Sequence, residues 1–229
     1  YIHQNIFTPL EMSNSSASNE TPQNLSKGYA NKKEIPEQKS NSFGASCITS
    51  SAIDLLKFTQ MMLQDGRLND KSLLSKKYIA DMEKNWQADN TLPTSEPYGF
   101  GIDCIPISIE ENQGTRQGTF FAHSGDGIAF HAVYGYIPEL GVGAIILTNT
   151  DNGGRMRSAS RLLDLYLQEA KGMEINFAHE GLDYNKEIIP DERIIGDYNI
   201  GIGLLKVERA DKIKFKMDGV KAVFKRKEN

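Results

Sequence analysis

The clearest pattern of apolar and polar positions lies between residues 119 and 148. Thr119-Phe-Phe-Ala-His-Ser-Gly-Asp-Gly127 reads as an extended segment ending in a polar corner punctuated by glycine. Residues 128–137 form a second run, Pro138-Glu-Leu-Gly141 a break, and residues 142–147 a third run. β-Branched and aromatic side chains dominate each run, which predicts strands. Pro138 and Gly141 bound a short turn, so the last two runs are expected to pair antiparallel. Residues 142–147 are almost unbroken apolar, the pattern of a strand covered on both faces. Residues 98–107 read as a further strand, and 110–118 as a polar turn.

Helices are predicted on either side of these strands. The opening heptad, Tyr1-Ile-His-Gln-Asn-Ile-Phe7, reads as helical. Residues 13–42 are rich in Ser, Asn, Gln, Glu and Lys, with Pro22 and Pro36, and read as a long polar loop. Ser51-Ala-Ile-Asp54 has capping-box form and opens a helix with Leu55, Phe58 and Met62 on one face; Gly66 closes it. Asp54 reads there as a capping carboxylate. A short helix follows over 75–84. Residues 85–97 read as a polar loop, in which Trp86 either lines a cleft or covers the core. Residues 155–171 form an amphipathic helix with an apolar stripe of Ala159, Leu162, Leu163, Tyr166 and Ala170, expected to pack across the sheet.

Near residue 176 the character changes. Ile213, Phe215 and Met217 alternate with lysines, Asp218-Gly219 follows, then Val220, Ala222 and Phe224. An Asp-Gly pair between alternating runs is a strong hairpin signal. The expected division is therefore 1–172 and a strand-rich appended segment over 173–229. The lysine-rich face of that segment reads as a solvated edge that resists aggregation.

Composition narrows the function classes. The net charge of −4 over 229 residues gives no reason to expect nucleic acid as a partner. No apolar run approaches the roughly 18 residues of a transmembrane span. Cys47 and Cys104 fit no metal-ligand spacing and read as buried thiols, with a disulfide left open. No His, Cys, Asp or Glu spacing suggests a metal, and no cofactor is expected. The chain opens inside a helical segment with no initiator Met, so a fragment is expected.

Five blocks carry a family resemblance. Phe7-Thr-Pro-Leu-Glu-Met12, residues 44–58 ending in Asp54-Leu-Leu-Lys-Phe58, Tyr98-Gly-Phe-Gly101, His123-Ser124-Gly125 and Leu147-Thr-Asn149 occur in order over roughly residues 1–170. They resemble blocks of the serine β-lactamase and penicillin-binding protein superfamily, in the class C branch that includes D-alanyl carboxypeptidases and esterases. The resemblance implies an α+β fold: a β-lactamase/transpeptidase-like antiparallel sheet flanked by helices, here with its N-terminal part absent and a small strand-rich tail. It also implies a bacterial envelope or secreted location, and a small-molecule or peptidoglycan-peptide substrate. The missing N-terminal half of the same protein would be the other partner.

The family's reaction is acyl transfer from a serine nucleophile. Carried over to this chain, His123 takes the hydrogen-bonding position facing the site, and Ser124 bonds the substrate's carboxylate or acyl chain. Gly125 leaves room for the substrate backbone. The backbone N–H of Asp126 is the oxyanion donor. The family's Ser-x-x-Lys motif, which supplies nucleophile and base, does not occur in these 229 residues. Tyr29-Ala-Asn31 mimics the family's Tyr-x-Asn motif, but it follows the Phe-x-Pro-Leu block instead of preceding it and reads as a chance tripeptide. His131, in mid-strand, reads as structural. The expectations are thus a fragment of a serine hydrolase, inactive alone, or else a non-catalytic binding or sensor module on the same fold.

Overall fold

A computed structural model describes residues 1–18, 21–36, 43–86, 97–151 and 155–177, together with the strands over 196–199, 204–209, 213–217 and 220–224. The chain divides into two compact units, Tyr1–His179 and Glu180–Asn229.

The first unit opens with a π-helical turn at His3–Phe7. Short strands β1 (Ser16–Ala17), β2 (Gly28–Ala30) and β3 (Lys33–Ile35) follow, then a helical turn α1 (Phe43–Ser46) and β4 (Ile48–Thr49). Helix α2 is Ala52–Leu63, β5 is Arg67–Leu68, β6 is Lys71–Ser72 and α3 is Lys76–Glu83. The main sheet comes from β7 (Asp103–Glu111), β8 (Gly114–Asp126), β9 (His131–Ile137), β10 (Val142–Thr148) and β11 (Glu174–Phe177), with α4 (Arg155–Lys171) between the last two. Its order is β10-β9-β8-β7-β11, and every pairing is antiparallel.

Local chemistry explains most boundaries. Ser51 caps α2 by accepting the Asp54 N–H, and Ser75 caps α3 by accepting the Tyr78 N–H. Past the end of α2, Gly66 turns back at φ +87° and donates to the Met61 carbonyl. A side chain there would collide with the Leu74 carbonyl, 2.3 Å from an added Cβ. Gly141, at φ +63°, closes the short 3-10 turn between β9 and β10, as Pro138 and Gly141 predict.

Two cores lie on opposite faces of the sheet. Phe120, Ala122, Val133 and Ala144 pack with Ala159, Leu163 and Leu167 of α4. Phe121, Tyr136, Cys104 and Ile102 pack with Phe7, Leu10, Met61, Met62 and Ile79 from the N-terminal segment, α2 and α3. Both α2 and α4 reach β10, one from each side, so the expected double cover is present. Yet β10 ends the described sheet, and Leu147 remains 39% exposed.

Several expectations are corrected. The predicted strand at 98–107 begins at Asp103, because Tyr98–Gly101 form a turn tied elsewhere: Phe100 N–H to the Met82 carbonyl, Gly99 N–H to Ile102, and Cys104 N–H to Pro97. The polar turn at 110–118 shrinks to a two-residue connection between Glu111 and Gly114, and β8 runs for 13 residues. The first unit extends past residue 172, since Glu174–Phe177 pair with Ile107–Glu110. The polar loop at 13–42 contains the β2–β3 hairpin, turned through Asn31 and Lys32 at positive φ. The buried face of α2 includes Thr59 and Met61, and Phe58 is only partly buried.

The Asp54 carboxylate does not cap its own helix. It is fully buried and reaches the 13–16 turn, accepting the Asn14 N–H at 2.7 Å and the Ser15 hydroxyl at 2.8 Å. Cys47 and Cys104 are both buried, and no disulfide joins them.

The second unit is a four-stranded antiparallel sheet of β12 (Gly196–Asn199), β13 (Leu204–Arg209), β14 (Ile213–Met217) and β15 (Val220–Phe224), in that order. The register pairs Met217 with Val220, as the hairpin pattern predicts; Asp218 and Gly219 themselves lie outside the described residues.

Candidate functional site

The site is built where β8 outruns its neighbour. The β7 ladder ends at the Asp103↔Ala122 rung, whereas β8 continues to Asp126 paired only with β9. The four residues beyond the ladder are His123, Ser124, Gly125 and Asp126.

Gly127 N–H donates to the Phe130 carbonyl at 2.8 Å, so 127/130 is a hydrogen-bonded rung. Antiparallel rungs alternate, which makes 126/131 and 124/133 non-hydrogen-bonded. The same alternation places Pro106 on a non-bonded rung with Thr119, where its missing N–H costs nothing. The backbone N–H and C=O of Ser124 and Asp126 therefore face the side that β7 has vacated.

Side chains alternate as well. Phe121 is in the core under α2 and α3, so His123 and Gly125 share that face. Ala122 is in the core under α4, so Ser124 and Asp126 share the opposite one. His123 and Ser124 are half-buried; Gly125 and Asp126 are exposed. An added Cβ at Gly125 would meet nothing within 4 Å, so open space lies over it.

His123 is oriented by a residue outside the predicted set. Its Nε2 lies 2.9 Å from the Tyr98 hydroxyl. Burial, with a smaller contribution from the nearby Asp103 charge, raises the Tyr98 pKa. The phenol thus keeps its proton through neutral pH and donates to Nε2 in the imidazole tautomer that carries its proton on Nδ1. Trp86 sits next to Tyr98: its backbone N–H donates to the Tyr98 carbonyl, its indole N–H donates to the Asp81 carbonyl, and its ring stacks on Phe100 at 5.1 Å. Lys84 lies over the same indole at 4.1 Å. Trp86 and Phe100 are both about half exposed, an aromatic ledge next to Tyr98.

On the other face, Asp126 accepts from His131 Nδ1 at 2.9 Å across the 126/131 rung. The hairpin at Gly28–Ile35 docks on the end of β10: Tyr29 N–H donates to the Asn149 carbonyl, Asp151 N–H to the Tyr29 carbonyl, and Asn149 Nδ2 to the Lys27 carbonyl. An added Cβ at Gly28 would lie 2.9 Å from Ala129, so the hairpin also abuts the β8–β9 corner. Tyr29-Ala-Asn31, read from the sequence as a chance tripeptide in a loop, is thus part of the structure around this corner. Among the described residues no group of His, Cys, Asp and Glu could hold a metal ion. Among them also, no helix is long and apolar enough to cross a membrane.

The β-lactamase family model matches residues 1–168. The chain belongs to the β-lactamase family. That assignment brings a domain of the serine-hydrolase, acyl-transfer kind. No curated relative matches the sequence. Among solved structures, the crystal structure of SurE is similar at a TM-score of 0.65 and 18% identity, over 95% of this chain and 50% of that one. At that identity the likeness is one of fold, a mixed α/β arrangement with an antiparallel sheet and helices. The chain spans about half the length of that structure.

Proposed function

We propose that this β-lactamase-family chain carries the substrate-facing strand of a serine hydrolase that acts by acyl transfer on amide or ester bonds, of peptidoglycan-peptide or small-ester type. The observation that carries the reading is the extension of β8 beyond β7. It puts a half-buried imidazole, a glycine under open space and two outward-facing backbone units on one short stretch, held stiffly by β9. Rigid polar groups beside an open strand edge are what a carbonyl substrate needs.

In this reading a substrate strand lies along the vacated edge. Gly125 lets it approach, the Ser124 hydroxyl bonds its carboxylate or acyl chain, and the Asp126 N–H receives the developing oxyanion. His123, fixed through Tyr98, supplies the polar contact on the α2 and α3 face. The nucleophile comes from outside these 229 residues. The fold in this proposal is β-lactamase/transpeptidase-like, with residues 180–229 as an appendage, and the location is the bacterial envelope or beyond it.

The test is acylation. The full-length protein is incubated with a chromogenic cephalosporin and a p-nitrophenyl ester, and intact mass is followed. A stoichiometric acyl adduct, lost when the serine of an upstream Ser-x-x-Lys is changed to Ala, is the expected result. This chain by itself should give none. The second reading, a binding or sensor module, is favoured by the absence of Ser-x-x-Lys from this sequence. It predicts saturable substrate binding by the full-length protein without any adduct.

A further inference from the structure

We propose that His131 is a positioning residue that clamps Asp126, and with it the backbone N–H assigned above to the oxyanion; the proposal rests on that acyl-transfer reading. Three observations carry it. First, His131 and Asp126 face each other across the last β8–β9 rung before the corner, with Nδ1 2.9 Å from a carboxylate oxygen. Second, the imidazole is only 9% exposed, so it sits within the sheet's α4 face and not on a mobile tip, whereas the carboxylate it holds is half exposed. Third, its other nitrogen, Nε2, is buried and makes no hydrogen bond among the described residues, and neither does the hydroxyl of Thr148, which faces His131 directly across the β9–β10 pairing. The bond to Asp126 is therefore the imidazole's one hydrogen bond among them.

The mechanical consequence follows from parity. The 126/131 rung is non-hydrogen-bonded, so no backbone bond across it holds Asp126 to β9. The nearest backbone bond on the corner side is Gly127 N–H to Phe130, beyond which the chain turns. The side-chain bond adds a tie at a rung where the backbone makes none, between the bonded rungs 125/132 and 127/130, as close cross-strand pairs do. An oxyanion donor is useful only if its direction is set before the charge develops. The clamp sets it from the face opposite to His123, so the two histidines act on the same strand from its two sides.

The experiment uses the full-length protein and three forms: unaltered, His131→Ala and His131→Asn. Asparagine can present an N–H donor near the place of Nδ1; alanine cannot. Amide hydrogen exchange over residues 123–131 is read first, because it does not depend on turnover. Faster exchange at Gly127 in the alanine form, restored by asparagine, is expected. Unchanged exchange in the alanine form overturns the clamp. Ester turnover is read second. A fall in kcat of about tenfold to a hundredfold in the alanine form, with KM within about twofold and substantial recovery in the asparagine form, is expected for a misplaced oxyanion donor. Faster exchange with unchanged kcat reduces His131 to a structural residue and overturns the positioning role. An unaltered protein that binds substrate but never acylates overturns the hydrolase reading itself, while the exchange result still reports on the clamp.

Discussion

The bond between Tyr98 and His123 offers the sharpest test of the site. Tyr98→Phe removes one hydroxyl and leaves the ring. The lost interaction is a hydrogen bond at 2.9 Å between two half-buried groups. Such bonds contribute about 0.5–1.5 kcal/mol net. Since about 1.4 kcal/mol is tenfold, kcat/KM should fall by roughly two- to twelvefold if the imidazole must be held for catalysis. Water can reach a half-buried Nε2, so the lower part of that range is favoured. His123→Ala removes the polar contact itself and should cost about tenfold to a thousandfold. The double variant decides the relation. If Tyr98 works only through His123, the pair should lose no more than His123→Ala alone. The assay is kcat/KM on a p-nitrophenyl ester with the full-length protein, alongside the melting temperature of each form. Losses that multiply in the double variant would falsify the coupling. A lowered melting temperature with unchanged kcat/KM in His123→Ala would make the histidine structural and remove it from the site.

Three further outcomes are expected. Gly125→Ala should leave stability within about 0.5 kcal/mol, because its Cβ meets open space, yet lower kcat/KM at least about tenfold if a substrate strand lies there; Gly135→Ala, whose Cβ would lie 2.3 Å from the Phe120 ring, should instead destabilise by about 1–3 kcal/mol in urea unfolding. Asp54→Ala removes two short bonds to a buried carboxylate, each of the charged kind, and should cost about 3–5 kcal/mol in the same measurement; a loss under about 1 kcal/mol would contradict the tie to Asn14 and Ser15. Burial raises the Glu83 carboxyl pKa despite the hydroxyl that Tyr136 donates to it at 2.9 Å. The folded state therefore binds that proton more tightly than the unfolded chain does, and the group's favourable contribution is present at acid pH and lost as pH rises through the folded pKa. Glu83→Gln keeps an acceptor for Tyr136 and should raise the melting temperature at pH 7 more than at pH 4.

What the sequence showed and what it hid separate along one line, the distance over which a cause acts. The β9–β10 pairing was legible because its signals are local: β-branched and aromatic runs with Pro138 and Gly141 between them. The Ser51 cap of α2 was legible for the same reason. Asp54 was misread because its partners, Asn14 and Ser15, are some forty residues away, and a capping-box pattern explains a carboxylate without them. The start of β7 was misplaced because the Tyr98–Gly101 turn is held by Met82 and Pro97, which strand propensity does not see. Tyr98 was read as a strand start and not as a partner of His123, since the contact spans 25 residues. Asn31, a residue that tolerates positive φ, was the available signal for the β2–β3 hairpin.

The site itself shows why a motif is less than a geometry. His123-Ser124-Gly125 states which groups are present and, by the period of two, that His123 and Gly125 share one face while Ser124 and Asp126 share the other. It does not say where β7 stops. Had β7 begun at Tyr98 as predicted, its ladder would run alongside His123 and beyond, and the Ser124 and Asp126 backbone units would bond another strand of the same chain. The turn at Tyr98–Gly101 prevents this. By delaying β7 to Asp103 it leaves four residues of β8 with a vacated side, and by folding back it brings the Tyr98 hydroxyl onto His123. One local departure from strand structure thus both opens the edge and orients the imidazole beside it. In the proposed acyl-transfer reading, this makes Tyr98-Gly-Phe-Gly101 a segment that shapes the site through its backbone turn and the Tyr98 hydroxyl.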